Sequence, residues 1–490
     1  MRKIRELGLD PWGQRFDDRL EISAIRAMES RITVAYSADG SDAHTEDSGP
    51  VVRAAGRIML QRRAGKLIFL TIQDRTGRLQ ILLGKSQIGE SDWELALCLD
   101  LGDIVGIDGE LRHTRTGELS IFANRLHFLS KSIETPPAKH QGLVDPELRQ
   151  RMRYVDLIHT DGVLERFVRR TKIIQSIRDT LSGEGFIEVE GPTLHTVAGG
   201  AAARPFITHH NALDLQLYMR IALELHLKRL LVGGMERVFE IGRVYRNEGV
   251  DLKHNPEFTL MELYQAYGDY RSMMDISEKM ICNAIRDTYG EEYGYRLTWG
   301  TDAQGCPFTI DFTPPFERAT YDELLARYAG VDPGDPVSIA TRAKSLGIET
   351  DGVHPDVVKN ELFEAEVEDR LVGPVFVYDY PAGICPLTKR RADRPEIAER
   401  FELFVRGMEL ANAYTELNDP DLQAELFAGQ LAGQKEEDSM AKMDHDFVRA
   451  LRYGMPPAGG LGIGIDRLVM LLTDTMSIRD VILFPLMRPE

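Results

Sequence analysis

Cysteine is scarce. Cys98, Cys282, Cys306 and Cys385 are the four in 490 residues, far apart and without a CxxC pair. That spacing argues against a disulfide framework and a structural zinc site, and reduced thiols in a cytoplasm are the simplest reading. No apolar run is long enough to cross a bilayer. The opening MRKIRELGLDPWGQRF lacks the apolar core of a secretory signal. The expectation is a cytoplasmic protein with no membrane partner. Positive charge is in deficit too: 59 Lys and Arg stand against 77 Asp and Glu, a net charge of −18. This excludes a protein that simply coats nucleic acid, although a local basic face is still enough for a nucleic-acid partner.

The remaining composition is that of a soluble globular protein, 43% hydrophobic and 28% charged, and too long for one core. Residues 1–50 read as a helical start followed, from Asp39, by the polar linker DGSDAHTEDSG. Residues 51–140 hold short strand candidates, among them LIFLTIQD, GRLQILLG and LSIFANRLHFL, separated by turn residues and closed by Pro136-Pro137. That spacing predicts a small all-β barrel or sandwich. Residues 141–160 form a hinge. Its DPELRQRMRYVDLIH has an amphipathic helix pattern, and Arg149, Arg151 and Arg153 read either as a nucleic-acid contact or as a solvated face. Residues 161–490 follow as a larger mixed domain with a helix over Val163–Gly183, a strand in GFIEVEGPTLH, and a helix-rich insertion over about 290–375.

Three stretches carry chemistry. Arg237–Tyr267 reads as two strands around the polar breaker Gly249–Pro256. In its second strand Glu262 and Tyr264 share one face, and Met261 and Leu263 share the other. Arg246, Glu248, His254, Asn255, Glu262 and Tyr264 are candidates for one site, with Phe258 as a flat surface for a base. Arg246 is a planar fork suited to carboxylate or phosphate, and Glu248 can accept hydrogen bonds from an exocyclic amine. In ELFVRGMELANAYTELN, residues Asn412, Tyr414 and Glu416 alternate on one strand face, while Glu402 and Glu409 flank an Arg406-Gly407 turn. Glu409 has the opposite parity to Asn412, so both face one ligand only if a bulge re-aims it. Gly460-Leu461-Gly462-Ile463-Gly464 clears one strand face for close approach to the backbone, ahead of Arg467.

The segment YRNEG…HNPEFT resembles motif 2 of class II aminoacyl-tRNA synthetases (about 236–267), and GLGIGIDR resembles motif 3 (about 459–475). GFIEVEGPTLH and its helix resemble motif 1 (about 165–195), which implies a homodimer. GRIMLQRRAGKLIFLTIQDRTGRLQILL resembles the OB-fold anticodon-binding domain of the lysine, aspartate and asparagine enzymes. The resemblance thus implies an α+β multidomain fold: an OB-fold β-barrel followed by a class II catalytic domain, an antiparallel sheet flanked by helices. NAYTELND is similar to the lysyl enzymes in particular.

Roles follow from that resemblance. Gly200 and Glu224 are assigned to an α-amino group, and Glu262, Tyr264 and Glu416 to an ε-ammonium, with Asn412 and Tyr414 lining the lysine site. Arg246 bridges the lysine carboxylate and the α-phosphate of ATP. Arg467 holds the terminal phosphate, opposite Phe258 across the adenine, and Glu248, His254 and Asn255 complete the ATP site. Glu402 and Glu409 are expected to bind Mg²⁺. On the barrel, Phe69 stacks on and Gln80 hydrogen-bonds an anticodon base, with Arg57, Arg62 and Arg63 near phosphates. Phe69 faces outward only if Ile68 and Leu70 face inward. Buried carboxylates call for cations, and L-lysine supplies two. The expected reaction is ATP-dependent lysine activation and transfer to tRNA(Lys). Lysylation of a protein and non-catalytic RNA binding are the alternatives; the barrel speaks against the first and the retained arginines against the second. Two departures stand out: Leu223 where the lysine enzymes usually carry proline, and Cys385 where a serine is usual.

Overall fold

The structure, a computed structural model, describes all residues except 37–43, 135, 138–142, 202, 302–304, 386–387, 433–443 and 490. It divides into two compact units, Met1–Val144 and Asp145–Glu490.

In the first unit five strands close a barrel: β1 (Val51–Ala64), β2 (Leu67–Gln73), β3 (Arg78–Gly84), β4 (Ile104–His113) and β5 (Leu119–Ser130), joined in the order β1-β2-β3-β5-β4. Alternation builds it. Ile68, Leu70 and Ile72 of β2, with Leu79, Ile81 and Leu83 of β3, point inward and are at most 1% exposed. The first fifty residues differ from the expected lead-in. Ile4, Ile22 and Ile25 are fully buried in the barrel's core. Of the polar stretch read as a linker, His44–Ser48 is a strand paired with Thr33–Tyr36, because ladder bonds use main-chain groups that polar composition does not remove. Residues 39–43 of that stretch lie outside the described residues.

The second unit is organised on an eight-stranded sheet. Its elements in chain order are α1 (Val163–Gly183), β6 (Ile187–Glu188), α2 (Glu224–Val232), β7 (Arg237–Tyr245), β8 (Glu257–Ala266), α3 (Tyr270–Tyr289), β9 (Glu317–Thr320), α4 (Tyr321–Ala329), α5 (Pro336–Ser345), α6 (Pro355–Glu366), β10 (Val375–Pro381), β11 (Ile397–Val405), β12 (Met408–Thr415), β13 (Ala458–Gly464) and α7 (Ile465–Leu472). The strand order is β9-β10-β11-β12-β13-β8-β7-β6, antiparallel except for the two outermost pairs. One sheet face packs Met261, Leu263, Phe401, Leu403, Ala411, Ala413, Leu461 and Ile463 against α1, α3 and α7. The other face carries the polar partners of those same strands.

The stretch read as a helix-rich insertion is only partly helical. It also holds a hairpin of Arg296–Thr301 with Pro307–Asp311, and it supplies β9 to the main sheet. Each arginine of the 145–159 run has an acidic partner within its own segment, and only Arg153 is fully buried. Arg153 is fully buried and ion-paired with Asp156 at 2.6 Å, Arg149 reaches the same carboxylate at 2.8 Å, and Arg151 pairs with Glu147 at 2.6 Å.

Candidate active site

A cavity of about 390 Å³ lies on the polar face of the sheet, over β8, β13 and β12. Its lining holds Gly200, Glu224, Arg246, Glu248, His254, Asn255, Phe258, Glu262, Tyr264, Glu409, Asn412, Tyr414 and Arg467. Thirteen of the candidates read from one polypeptide thus share one wall. Glu402 and Glu416 do not line it, and Phe69 and Gln80 belong to the barrel.

Strand parity explains most of this convergence. Register pairs Glu262 with Gly462 and Tyr264 with Gly460, and on the other edge of β13 it pairs Asn412 with Gly462 and Tyr414 with Gly460. Directly opposite residues share a face, so the glycine strand runs as a floor between two polar rows. The bulge demanded by Glu409 is present. Leu403 pairs with Ala411 but Phe404 pairs with Glu409, so Leu410 is the extra residue and Glu409 turns onto the face of Asn412. Asn412 Nδ2 then donates to Glu409 Oε1 at 2.9 Å. The adjoining hairpin turns through Arg406 and Gly407, both at positive φ, as a tight two-residue turn requires. Gly200 also needs its residue type: its φ is +87°, and a Cβ there would come within 3.1 Å of Ala222 Cβ.

One end of the cavity is acidic. Glu262 accepts from the Leu223 amide at 3.2 Å and from Tyr264 Oη at 3.2 Å. Burial, and Glu224 beside it, push its carboxyl up to about 8. Glu416 lies just behind the wall and is 2% exposed. It is held by Lys228, whose Nζ is 2.5 Å from Glu416 Oε2 and 2.5 Å from Glu224 Oε1. A residue that sequence reading missed therefore already occupies two of the three carboxylates. Its signal was the four-residue spacing from Glu224, which places both side chains on one face of α2.

The other end is cationic. The Arg246 guanidinium lies 5.2 Å from the Phe258 ring centroid, and burial lowers its pKa from the ordinary value. Glu248, Glu262 and Glu409 pull it the other way, so it stands between the acidic end and the opposite wall. Arg467 Nη1 donates to the Glu409 carbonyl at 2.8 Å, and its Nη2 contacts His254 Nε2 at 3.2 Å. Since guanidinium can only donate, His254 accepts there, and its Nδ1–H goes to Asp251 Oδ2 at 2.7 Å. Asn255 donates to the Glu257 carbonyl at 2.6 Å, while its buried Oδ1 has no partner among the described residues.

Glu402 sits apart from the main cavity. It shares the sheet face of Asn412 but lines a neighbouring cavity of about 150 Å³ with Tyr380, Arg400 and Glu368. Tyr380 Oη donates to it at 2.9 Å, and Arg400 is ion-paired with it. Arg400, two residues away on the same strand face, went unread in the sequence. Burial raises the Glu402 carboxyl against the pull of Arg400, and Glu409 adds to the rise. No group of three or more candidate ligands converges among the described residues. Two neighbouring carboxylates that repel each other nevertheless suit a hard cation whose other ligands come from phosphates.

On the barrel, Phe69 lies on the outer face, since Ile68 and Leu70 point in. Arg62 stacks over its ring at 4.6 Å. Gln80 sits on the same face and donates to Ser120 Oγ at 2.8 Å. The Arg57 guanidinium donates through Nη1 to the Gly102 carbonyl at 2.8 Å.

The Leu223 amide supports a first prediction. Proline at this position has no N–H and removes a donor from Glu262. Leu223→Pro should weaken lysine about fivefold, roughly 1 kcal/mol for one hydrogen bond, with ATP use unchanged. An unaltered lysine KM in pyrophosphate exchange would show that this amide does not tune the pocket.

The sequence matches known proteins along its whole length. Residues 145–488 match the family described as tRNA synthetases class II (D, K and N), and residues 52–129 match an OB-fold nucleic acid binding domain. The chain is 48% identical to a lysine–tRNA ligase of Moorella thermoacetica, with 100% of this chain and 96% of that protein covered. It is 48% identical to one from a Thermoanaerobacter species over 99% of this chain and 94% of the relative. Against one from Staphylococcus saprophyticus the identity is 46%, over 100% and 97%. A glycine-floored sheet with an acidic end, a guanidinium end and an N-terminal barrel is what those matches span, and the chain belongs to the class II tRNA synthetases of the D, K and N group.

Proposed function

We propose that this chain activates L-lysine with ATP and transfers it to the 3′ end of tRNA(Lys). The observation that carries the reading is the charge layout of the cavity: three carboxylates at one end, and Arg246 and Arg467 at the other. A lysine ammonium suits Glu262 and Tyr264, and its α-amino group suits Glu224 and Gly200. The lysine carboxylate then meets Arg246 beside the α-phosphate. Its oxygen attacks the α-phosphorus, and the bond to pyrophosphate breaks. A ribose hydroxyl of the tRNA next attacks the acyl carbon, and AMP leaves. No side-chain nucleophile is needed, because positioning and charge stabilisation carry both steps. Arg467 braces the departing phosphates, and Phe258 and Asn255 face the base. Glu409, with Glu402 beside it, would hold Mg²⁺, which supplies charge neutralisation at the phosphates. Phe69 and Gln80 are proposed to read an anticodon base, by stacking and hydrogen bonding. We further propose a cytoplasmic homodimer built through α1 and the strand after it. No helix among the described residues is long and apolar enough to cross a membrane.

Lysine-dependent ATP–pyrophosphate exchange, followed by charging of bulk tRNA, tests the reading. Exchange with aspartate or asparagine instead of lysine would sink it. Protein lysylation would show as lysine-dependent exchange with no tRNA charging.

Glu262 adds a pH signature. Its carboxyl, pushed up to about 8, carries a proton in the empty pocket at neutral pH. An incoming ammonium favours the ionised form, so binding releases that proton. Lysine affinity should therefore rise with pH up to about 8 and then flatten. Calorimetry at pH 7 in buffers of different ionisation enthalpy should read release of about one proton per site. Zero release would place Glu262 away from the ammonium.

A further inference from the structure

Lys228 is 2% exposed and lies on no wall of the cavity, yet both of its partners are carboxylates at the acidic end. The groups facing it come from three elements: Glu224 on its own helix α2, Glu262 and Tyr264 on β8, and Glu416 just past β12. Its Nζ is 5.8 Å from the Tyr264 ring centroid. Gly460 leaves the space that this arrangement needs, since a Cβ there would sit 2.0 Å from Glu416 Oε1.

We propose that Lys228 is a positioning residue that sets the charge of the lysine pocket: once lysine is bound and all of Glu224, Glu262 and Glu416 are ionised, it offsets one of the three carboxylates and leaves two negative charges for the two ammonium groups of the substrate. The inference rests on the lysine reading above. Three carboxylates without an internal cation would leave an excess charge that no part of lysine matches, and buried carboxylates take up protons rather than remain unpaired. Burial works against the Lys228 ammonium, but Glu224 and Glu416 outweigh it and hold its pKa above the ordinary value. Burial likewise pushes Glu416 up to about 7, even with Lys228 pulling it down. Removing the cation therefore drives Glu416 and Glu262 further toward their neutral forms, and lysine must then displace more protons to bind. Lys228 also fixes where the charge sits. By bridging Glu224 and Glu416 it prevents the two carboxylates from repelling each other out of the pocket.

A plain scaffold lysine and a charge-setting one predict different things. Lys228→Met should raise the lysine KM about tenfold or more at pH 7, with the ATP KM unchanged within about twofold. The ratio of variant to unaltered KM should fall as pH rises from about 7 to about 8.5, because the extra proton is lost over that range. The decisive protein is the double variant Lys228→Met with Glu416→Gln. It removes one charge of each sign and restores a pocket of two carboxylates. It should use lysine better than Lys228→Met alone and better than Glu416→Gln alone, a reversal that loss of packing does not produce.

Lysine-dependent pyrophosphate exchange measures all three variants. Absence of that exchange in the unaltered chain would remove the functional reading itself. Exchange in the unaltered chain, with a double variant no better than either single one, overturns the charge-setting role and leaves the function intact. If Lys228→Met fails to fold, recovery of folding and exchange in the double variant supports the proposal. Failure of both to fold overturns it, because Lys228 is then needed for the scaffold whatever the charge.

Discussion

Gly460→Ala is expected to lower kcat/KM for lysine by about 100-fold or more, while Gly462→Ala two residues away leaves the protein folded and its pocket walls in place. The difference is a matter of space. A Cβ on Gly460 would lie 2.0 Å from Glu416 Oε1 and 2.5 Å from Tyr264 Cε1, far inside contact distance. On Gly462 it would meet Asn412 Oδ1 at 3.4 Å and Glu262 Cγ at 3.8 Å, which is ordinary packing. The Gly460 neighbours have no easy escape. Glu416 is anchored on Lys228, and Tyr264 is a 5% exposed ring in the cluster with Leu223, Leu227 and Val238. Overpacking of this kind costs about 1–3 kcal/mol of stability. Rotation of Tyr264 would also break its hydrogen bond to Glu262 and displace two of the groups that face the substrate ammonium. Thermal melts and lysine titrations in pyrophosphate exchange read the two effects separately. A Gly460→Ala protein with an unaltered lysine KM would mean that Tyr264, and the Glu416 behind it, do not shape the lysine site.

The glycine strand also shows what the sequence can and cannot disclose. Alternating glycines mark a strand face that something approaches closely, and that much was legible. All three glycines line the cavity, but what approaches differs along the strand: at Gly460 it is the protein's own Glu416 and Tyr264, whereas a Cβ at Gly462 or Gly464 would meet nothing closer than 3.4 Å. Period-two alternation similarly placed Glu262 and Tyr264 opposite the core residues Met261 and Leu263, and the parity clash at Glu409 called for the bulge seen at Leu410. Local rules suffice for these because each concerns neighbours on one strand. Lys228, Arg400 and Arg153 each have one partner at short spacing, Glu224 four residues away, Glu402 two and Asp156 three, so those pairs were within reach of local rules and went unread. What local rules do not give is the second partner: α2 laid against the sheet brings Lys228 to Glu416, and β10 beside β11 brings Tyr380 to Glu402. The strand His44–Ser48 was hidden for another reason, since composition reports side chains and the ladder is made by the backbone.

Arg246→Ala should reduce lysine-dependent exchange by about 1,000-fold in kcat, the scale of losing a preorganised donor to a developing charge. The half-buried side chain packs on Phe258, with its Nε donating to the Ile221 carbonyl at 3.4 Å, so its fork is held before any ligand arrives. Its electrostatic neighbours, Glu262 toward one end and Glu409 and Arg467 toward the other, fix it at the join between the two halves of the cavity. In the proposed reaction a group at that join is placed to meet both reactants, the attacking carboxylate and the phosphate it attacks. Loss of the fork removes alignment as well as charge. Arg246→Lys tests the two apart: it keeps the charge but not the bidentate geometry, and should recover only part of the rate, about 10- to 100-fold below the unaltered chain. The KM for lysine should rise far less than kcat falls, because the groups proposed to hold the ammonium groups, Glu224, Glu262 and Tyr264, are untouched. If Arg246→Ala instead raises the lysine KM at unchanged kcat, Arg246 only binds substrate, and the α-phosphate must be met by another cation, with Arg467 the nearest candidate.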